Sequence, residues 1–251
     1  MTDDVSRGVC WVMENARELG GDPDNVHLAG QSAGAHIAAL ALAREVIRTA
    51  AEDARHMESL ERERPAAGAP APSPFCRLRS FVGISGTYNV ADQVDHFHAR
   101  GLYRSLLFSI MSAPDGASLD SSSPQALILR YCDESAGSSP SPSPSPSLAA
   151  LLPRIVLMHG TEDRSIPPVA ASAFSGALER VGATVTLKLL EGKTHVDPIV
   201  LDPLRGGRDV CVEELVGLAK GVRAKMAYAS LPQRPIWLPF LVDCASAACP
   251  F

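Results

Sequence analysis

The 251-residue sequence lacks a long apolar run, a basic excess and paired cysteines, and each absence removes a class of protein. No stretch approaches the roughly 20 apolar residues that a membrane span requires. The nearest, Pro235 to Val242, is interrupted by Pro239 and ended by Asp243. The formal net charge is −5 with no basic stripe, so no nucleic-acid partner is expected. Six cysteines (Cys10, Cys76, Cys132, Cys211, Cys244 and Cys249) are scattered without a C-x-x-C pair. In a chain this long they read as reduced, buried thiols and not as a disulfide framework. Met1-Thr2-Asp3-Asp4 is acidic where the first part of a signal peptide is basic, and Cys249 stands third from the end, which is not a prenylation box. As it stands the sequence reads as soluble or at most peripheral.

What is present is an ordinary globular composition, 46% hydrophobic and 20% charged, in a length that suits one large domain. Residues 3–19 have the spacing of an amphipathic helix, with Val5, Val9, Val12, Ala16 and Leu19 on one face and Gly20-Gly21 at its end. Apolar strands are expected at 26–30, 79–86, 153–160 and 184–190. An Ala-rich helix runs from Ala33 past Arg48, and its charged second half reaches Pro65; further helices are expected near 102–111, 168–181 and 209–228. Pro/Ala-rich residues 65–74 and the stretch 134–147, which holds a Ser-Pro tract at 138–147, read as flexible insertions. Residues 1–230 then form the domain and 231–251 a Pro-rich tail. Strands alternating with helices build a parallel sheet covered on both faces, an α/β fold.

The chemistry centres on Gly30-Gln31-Ser32-Ala33-Gly34, where an apolar strand turns into a helix. The spacing G-x-S-x-G is that of a nucleophile elbow, in which a strained turn exposes the serine hydroxyl at the positive end of a helix. Glycines on either side are expected because a Cβ there would collide with strand and helix. Parallel sheets gather functional groups at the carboxyl ends of their strands. Three such ends carry Ser32, Asp163 and His195, in the chain order expected of α/β-hydrolases. His195 would take the proton of Ser32, Asp163 would orient the imidazole, and the N–H of Ala33 would donate to the oxyanion. Glu162 competes with Asp163 as the acid; the pattern His-Gly-x-x-Asp in similar enzymes favours Asp163. His36, His96, His98 and His159 read as structural. His96-Phe97-His98 lacks a third ligand at helical spacing, so no metal and no cofactor is assigned.

Further stretches are more specific. Gly20 to Asp24, Gly30-Gln-Ser-Ala-Gly-Ala-His36, Val94 to Ser105, Gly192-Lys-Thr-His195 and Asp202-Pro-Leu-Arg-Gly-Gly207 together resemble the plant isoprenylcysteine α-carbonyl methylesterases over roughly residues 1–230. The resemblance implies a partial α/β-hydrolase fold and hydrolysis of the carboxyl methyl ester of C-terminal isoprenylcysteine. It implies prenylated protein C-termini or prenylcysteine methyl esters as partners, endoplasmic reticulum and Golgi membranes as location, and a link to abscisic-acid signalling. That family carries membrane spans, early strands and a His-Gly-Gly oxyanion loop upstream of the helix that opens this sequence, and no His-Gly-Gly run occurs here. The resemblance therefore implies a shortened form whose elbow strand lies at an open sheet edge. The segment 87–124 is expected over the site, shaping an apolar pocket. The rival readings are an inactive truncated isoform or a non-catalytic α/β-hydrolase-like binding protein; a prolyl-oligopeptidase-type peptidase shares the residue order but needs an upstream domain.

Overall fold

A computed structural model describes residues 1–61, 73–114, 117–137, 148–206 and 209–221, together with 235, 237–238, 240–242 and 244 of the tail. The expected flexible stretch 65–72, the Ser-Pro tract 138–147, residues 222–228 of the last expected helix and most of the tail lie outside these residues.

In chain order the elements begin with α1 (Thr2–Asn15), β1 (His27–Gln31), α2 (Ala33–Glu61) and β2 (Ser80–Ile84). There follow α3 (Val94–Ala99), α4 (Arg104–Ile110), α5 (Pro124–Gly137) and α6 (Leu148–Leu151). The last third holds β3 (Arg154–Gly160), α7 (Val169–Arg180), β4 (Val185–Leu190), α8 (Asp202–Arg205) and α9 (Val210–Lys220). The four strands make one sheet in the order β1-β2-β3-β4, and every neighbouring pair is parallel. Among the described residues β1 has a single neighbour and is an edge.

Successive side chains of a strand point to opposite faces, and here both faces are buried. Phe81, Ile155 and Leu157 face one layer, where they pack with Val9 and Met13 of α1, Ala35, Ala39, Leu42 and Val46 of α2, Ile128 of α5, and Phe174 and Leu178 of α7. Val82, Ile84, Val156 and Met158 face the other, against Cys211, Leu215 and Leu218 of α9. This is why β2 and β3 read as unbroken apolar runs. The alanines of α2 let it lie close against β1 and β2, and Tyr88 stacks on Phe174 with ring centroids 4.4 Å apart.

Several expectations are corrected. Helix α1 stops at Asn15; Val12 and Leu19 are exposed and Met13 takes the inward place. Residues 134–137 belong to α5, which buries Leu127 and Ile128, so the insertion does not begin at 134. Ser73 is buried and caps a 3-10 turn at Pro74–Arg77, so 73–74 are ordered. Helix α9 ends at Gly221, whose left-handed backbone (φ 63°) closes it. Of the described cysteines, all with free thiols, Cys211 is buried and Cys244 is exposed. The segment 87–124 builds a small core of its own from Val90, Leu107, Phe108 and Leu119.

Candidate active site

The elbow is built by a close approach of backbone to backbone. A Cβ at Gly30 would stand 2.6 Å from the carbonyl carbon and oxygen of Gly34 and 2.7 Å from the nitrogen of Ala35. Only glycine lets the end of β1 and the start of α2 cross so tightly. At Gly34 a Cβ would meet nothing within 4 Å, so the second glycine is not required by crowding of that kind. Ser32 itself takes the strain, with φ 54° in the left-handed region that side chains disfavour. Its N–H donates to the Ile84 carbonyl at 2.9 Å, and its carbonyl accepts the His36 N–H at 3.1 Å, fixing the turn to β2 on one side and to α2 on the other. Ala33, the first residue of α2, is exposed, and its N–H is among the donors that a helix start leaves without an acceptor in the helix.

Asp163 follows β3 and is fully buried. One carboxylate oxygen, Oδ1, accepts the N–H groups of Ser165 and Ile166, each at 2.9 Å. The other, Oδ2, faces His195 Nδ1 at 2.7 Å and His159 Nε2 at 3.1 Å. Burial alone would raise the pKa of this carboxyl. The hydrogen bonds from His159, His195 and Ile166 outweigh it and hold the group well below the usual carboxylate range. Glu162 is exposed.

His195 lies beyond β4, its Nε2 2.9 Å from Ser32 Oγ. A carboxylate can only accept, so Nδ1 carries the proton shared with Asp163 and Nε2 presents its lone pair to the serine hydroxyl. Ser32, Asp163 and His195 thus form one chain of hydrogen bonds across the carboxyl ends of β1, β3 and β4. The turn after β3 and the loop after β4 are stitched together: Glu162 N–H donates to the Lys193 carbonyl at 3.0 Å and Gly192 N–H to Thr161 Oγ1 at 2.9 Å. A Cβ on Gly160 would lie 2.1 Å from the Lys193 carbonyl oxygen, so the His195 loop presses directly on the end of β3.

Two further side chains reach this arrangement without a role having been assigned from sequence. His159 is not merely a structural histidine. Its Nε2 also meets the Ile166 carbonyl at 2.9 Å, which fixes the proton on that nitrogen and makes it a second donor to Asp163. The signal was its i,i+4 spacing from the acid. Gln31 Nε2 donates to the His195 carbonyl at 3.3 Å, tying the residue before the elbow serine to the loop. Of the other histidines, His36 Nδ1 bonds the Thr87 carbonyl, and His96 Nε2 bonds the Ser165 carbonyl at 3.0 Å, a tie from α3 to the turn that holds Asp163. Among the described residues no three His, Cys, Asp or Glu side chains cluster as metal ligands would.

A parallel sheet with a G-x-S-x-G turn between strand and helix, and serine, aspartate and histidine on strand ends in that order, is the arrangement of the α/β-hydrolase fold. The Carboxylesterase family model matches residues 2–54. The chain is similar to plant isoprenylcysteine alpha-carbonyl methylesterases. It is 40% identical to the probable isoprenylcysteine alpha-carbonyl methylesterase ICME of Oryza sativa subsp. japonica, over 93% of this chain and 50% of that one. To the isoprenylcysteine alpha-carbonyl methylesterase ICME of Arabidopsis thaliana it is 38% identical, over 87% of this chain and 44% of that protein. The chain spans about half the length of the curated relatives it matches. Among solved structures, the propionate-bound esterase Est2 of Thermogutta terrifontis overlays with a TM-score of 0.48 at 18% identity, covering 88% of this chain and 62% of that one.

Proposed function

We propose that this chain carries the nucleophile, base and acid of a serine carboxylesterase whose substrate is the carboxyl methyl ester of C-terminal isoprenylcysteine. The observation that supports it is the continuous chain Ser32 Oγ, His195 Nε2, His195 Nδ1, Asp163 Oδ2, with links of 2.9 and 2.7 Å. In this reading the Ser32 oxygen attacks the ester carbonyl while its proton passes to His195 Nε2. The oxyanion forms beside the Ala33 N–H at the start of α2, where the helix dipole favours negative charge. The imidazolium, held by buried anionic Asp163, gives its proton to the departing methoxide, and methanol leaves. Water then attacks the acyl-enzyme with His195 again as base, freeing the carboxylate and restoring the Ser32 hydroxyl.

The substrate class is taken from the relatives' names and from the resemblance of the stretches quoted above to that family. The expected setting on endoplasmic reticulum and Golgi membranes, and in abscisic-acid signalling, belongs to the same proposal. Among the described residues no helix is long and apolar enough to cross a membrane. The segment with α3 and α4 would shape the apolar pocket for the lipid; its link to the acid's turn through His96 supports this placement.

The test is labelling of the purified chain with a fluorophosphonate, alongside methanol release from a farnesylcysteine methyl ester. Labelling abolished by Ser32→Ala, with methanol released by the parent alone, is the expected result. Labelling that survives Ser32→Ala removes Ser32 as nucleophile. Equal turnover by parent and Ser32→Ala favours a non-catalytic binding protein.

A further inference from the structure

Two of the stretches that carry the resemblance are Gly192-Lys-Thr-His195 and Asp202-Pro-Leu-Arg-Gly-Gly207, and of their side chains only His195 has a part in the chemistry above. In the folded chain they touch. Beyond His195 the backbone enters a π-helical turn at Asp197–Leu201 and passes directly into α8. This brings the Asp197 side chain back over the loop. Its Oδ2 accepts the Thr194 N–H at 2.7 Å and the Thr194 hydroxyl at 2.6 Å. Its Oδ1 accepts from Arg205 Nη1 at 2.7 Å. One residue before Thr194, Lys193 Nζ reaches Asp202 Oδ1 at 2.6 Å, and Arg205 Nη1 lies 3.8 Å from the same carboxylate oxygen. Two acids and two bases therefore close over residues 193–205. Asp197 and Asp202 are both buried, and the pull of Thr194 and Arg205 keeps the Asp197 carboxyl below its usual range despite its burial.

We infer that Asp197 and Arg205 are positioning residues, a latch that fixes the backbone of the His195 loop. The loop is held by two sets of contacts. One comes from the turn after β3, where Thr161 accepts the Gly192 N–H and Glu162 donates to the Lys193 carbonyl, and from the close approach to Gly160. The other is Asp197, which accepts the N–H and the hydroxyl of Thr194, the residue before His195. Arg205, reaching from α8, neutralises Asp197 and fixes its rotamer. Without the latch only the first set of contacts holds the loop backbone at this point, and Nε2 is free to drift from the serine oxygen. A displacement of about 1 Å in a reacting group costs on the order of 10²-fold in rate, so a small release has a large kinetic effect. The kinetic part of this inference rests on the esterase reading; the part that concerns the loop does not.

The test uses the full chain with Arg205→Met, Arg205→Lys and Asp197→Ala. Lys188→Met serves as control, because it removes an ion pair to Glu214 that joins β4 to α9 and does not touch the loop. The first readout is amide hydrogen exchange across residues 190–197, where Asp197→Ala is expected to speed the Thr194 amide by about tenfold or more. The second is ester turnover: Arg205→Met and Asp197→Ala are expected to lose about 10- to 100-fold in kcat with KM within about twofold. Arg205→Lys, which keeps the charge, should recover most of that loss, and Lys188→Met should match the parent. Three outcomes overturn the inference: unchanged exchange in Asp197→Ala, kcat within about threefold of the parent in both latch variants, or an equal loss in Lys188→Met. If the parent itself releases no methanol, the esterase reading fails, and the exchange measurement alone decides the latch.

Discussion

Replacing Asp163 by asparagine leaves volume and shape unchanged and alters the direction of hydrogen bonding. The carboxylate meets four donors: two backbone N–H groups on Oδ1 and two imidazole N–H groups on Oδ2. An amide has only one oxygen. If that oxygen keeps the Ser165 and Ile166 N–H groups, the new NH2 faces the nitrogens of His195 and His159, donor against donor. His195 relieves the conflict most cheaply by moving its proton to Nε2, so that Nδ1 becomes an acceptor. The nitrogen 2.9 Å from Ser32 then carries a proton and has no lone pair for the hydroxyl. The wrong tautomer lowers kcat by about 10⁴-fold, or about 5 kcal/mol in the barrier. The assay is initial-rate hydrolysis of p-nitrophenyl butyrate, with Ser32→Ala as the floor and circular dichroism to confirm the fold. KM should stay near the parent value, and Ser32→Ala/Asp163→Asn should be no worse than Ser32→Ala, because residues that act as one unit are not additive. A folded Asp163→Asn that keeps kcat within tenfold of the parent would refute the role given to Asp163.

Two other predictions concern stability. Gly30→Ala and Gly160→Ala force a Cβ into backbone atoms at 2.6 and 2.1 Å, so each is expected to destabilise by at least about 1–3 kcal/mol, about 2–4 °C in Tm per kcal/mol, whereas Gly34→Ala should be tolerated. Equal melting of Gly30→Ala and Gly34→Ala in scanning fluorimetry would count against the elbow geometry described above. The carboxyls of Asp163 and Asp197 are lowered in the fold despite burial, so the stability they contribute is complete above the unfolded pKa of about 4 and is lost as pH falls through the folded values. Asp209, raised by burial, works in the opposite sense. Scanning calorimetry between pH 5 and 3 should therefore show a steeper fall for the parent than for Asp197→Asn; parallel curves would refute the linkage.

The elements of the sheet were legible because their signals are local. Uninterrupted apolar runs marked β2 and β3, since strands buried on both faces cannot alternate. The elbow was legible from Gly30, Ser32 and Gly34, although only the crossing of β1 and α2 shows that Gly30 is the glycine without room for a Cβ. Helix α5 (Pro124–Gly137) was not expected at all: its signal is short and runs into the Ser-Pro composition, and only packing shows that Leu127 and Ile128 are buried. Val12 was placed inward by a spacing that tolerates either Val12 or Met13, and packing against α2 chose Met13.

By itself the sequence determined the strand-helix alternation, the strained turn at Ser32, and the order of serine, aspartate and histidine along the chain. These follow from periodicity, turn chemistry and residue type within short windows. Tertiary structure alone decided which groups meet: His159 beside Asp163, Gln31 on the His195 carbonyl, and Asp197 between Thr194 and Arg205. Such contacts join residues by direction as well as by position, and a side chain's direction is set by the sheet register, the π-helical turn and the pressure of a loop on Gly160. A hydrogen bond is decided over tenths of an ångström, a scale that spacing along a chain does not encode.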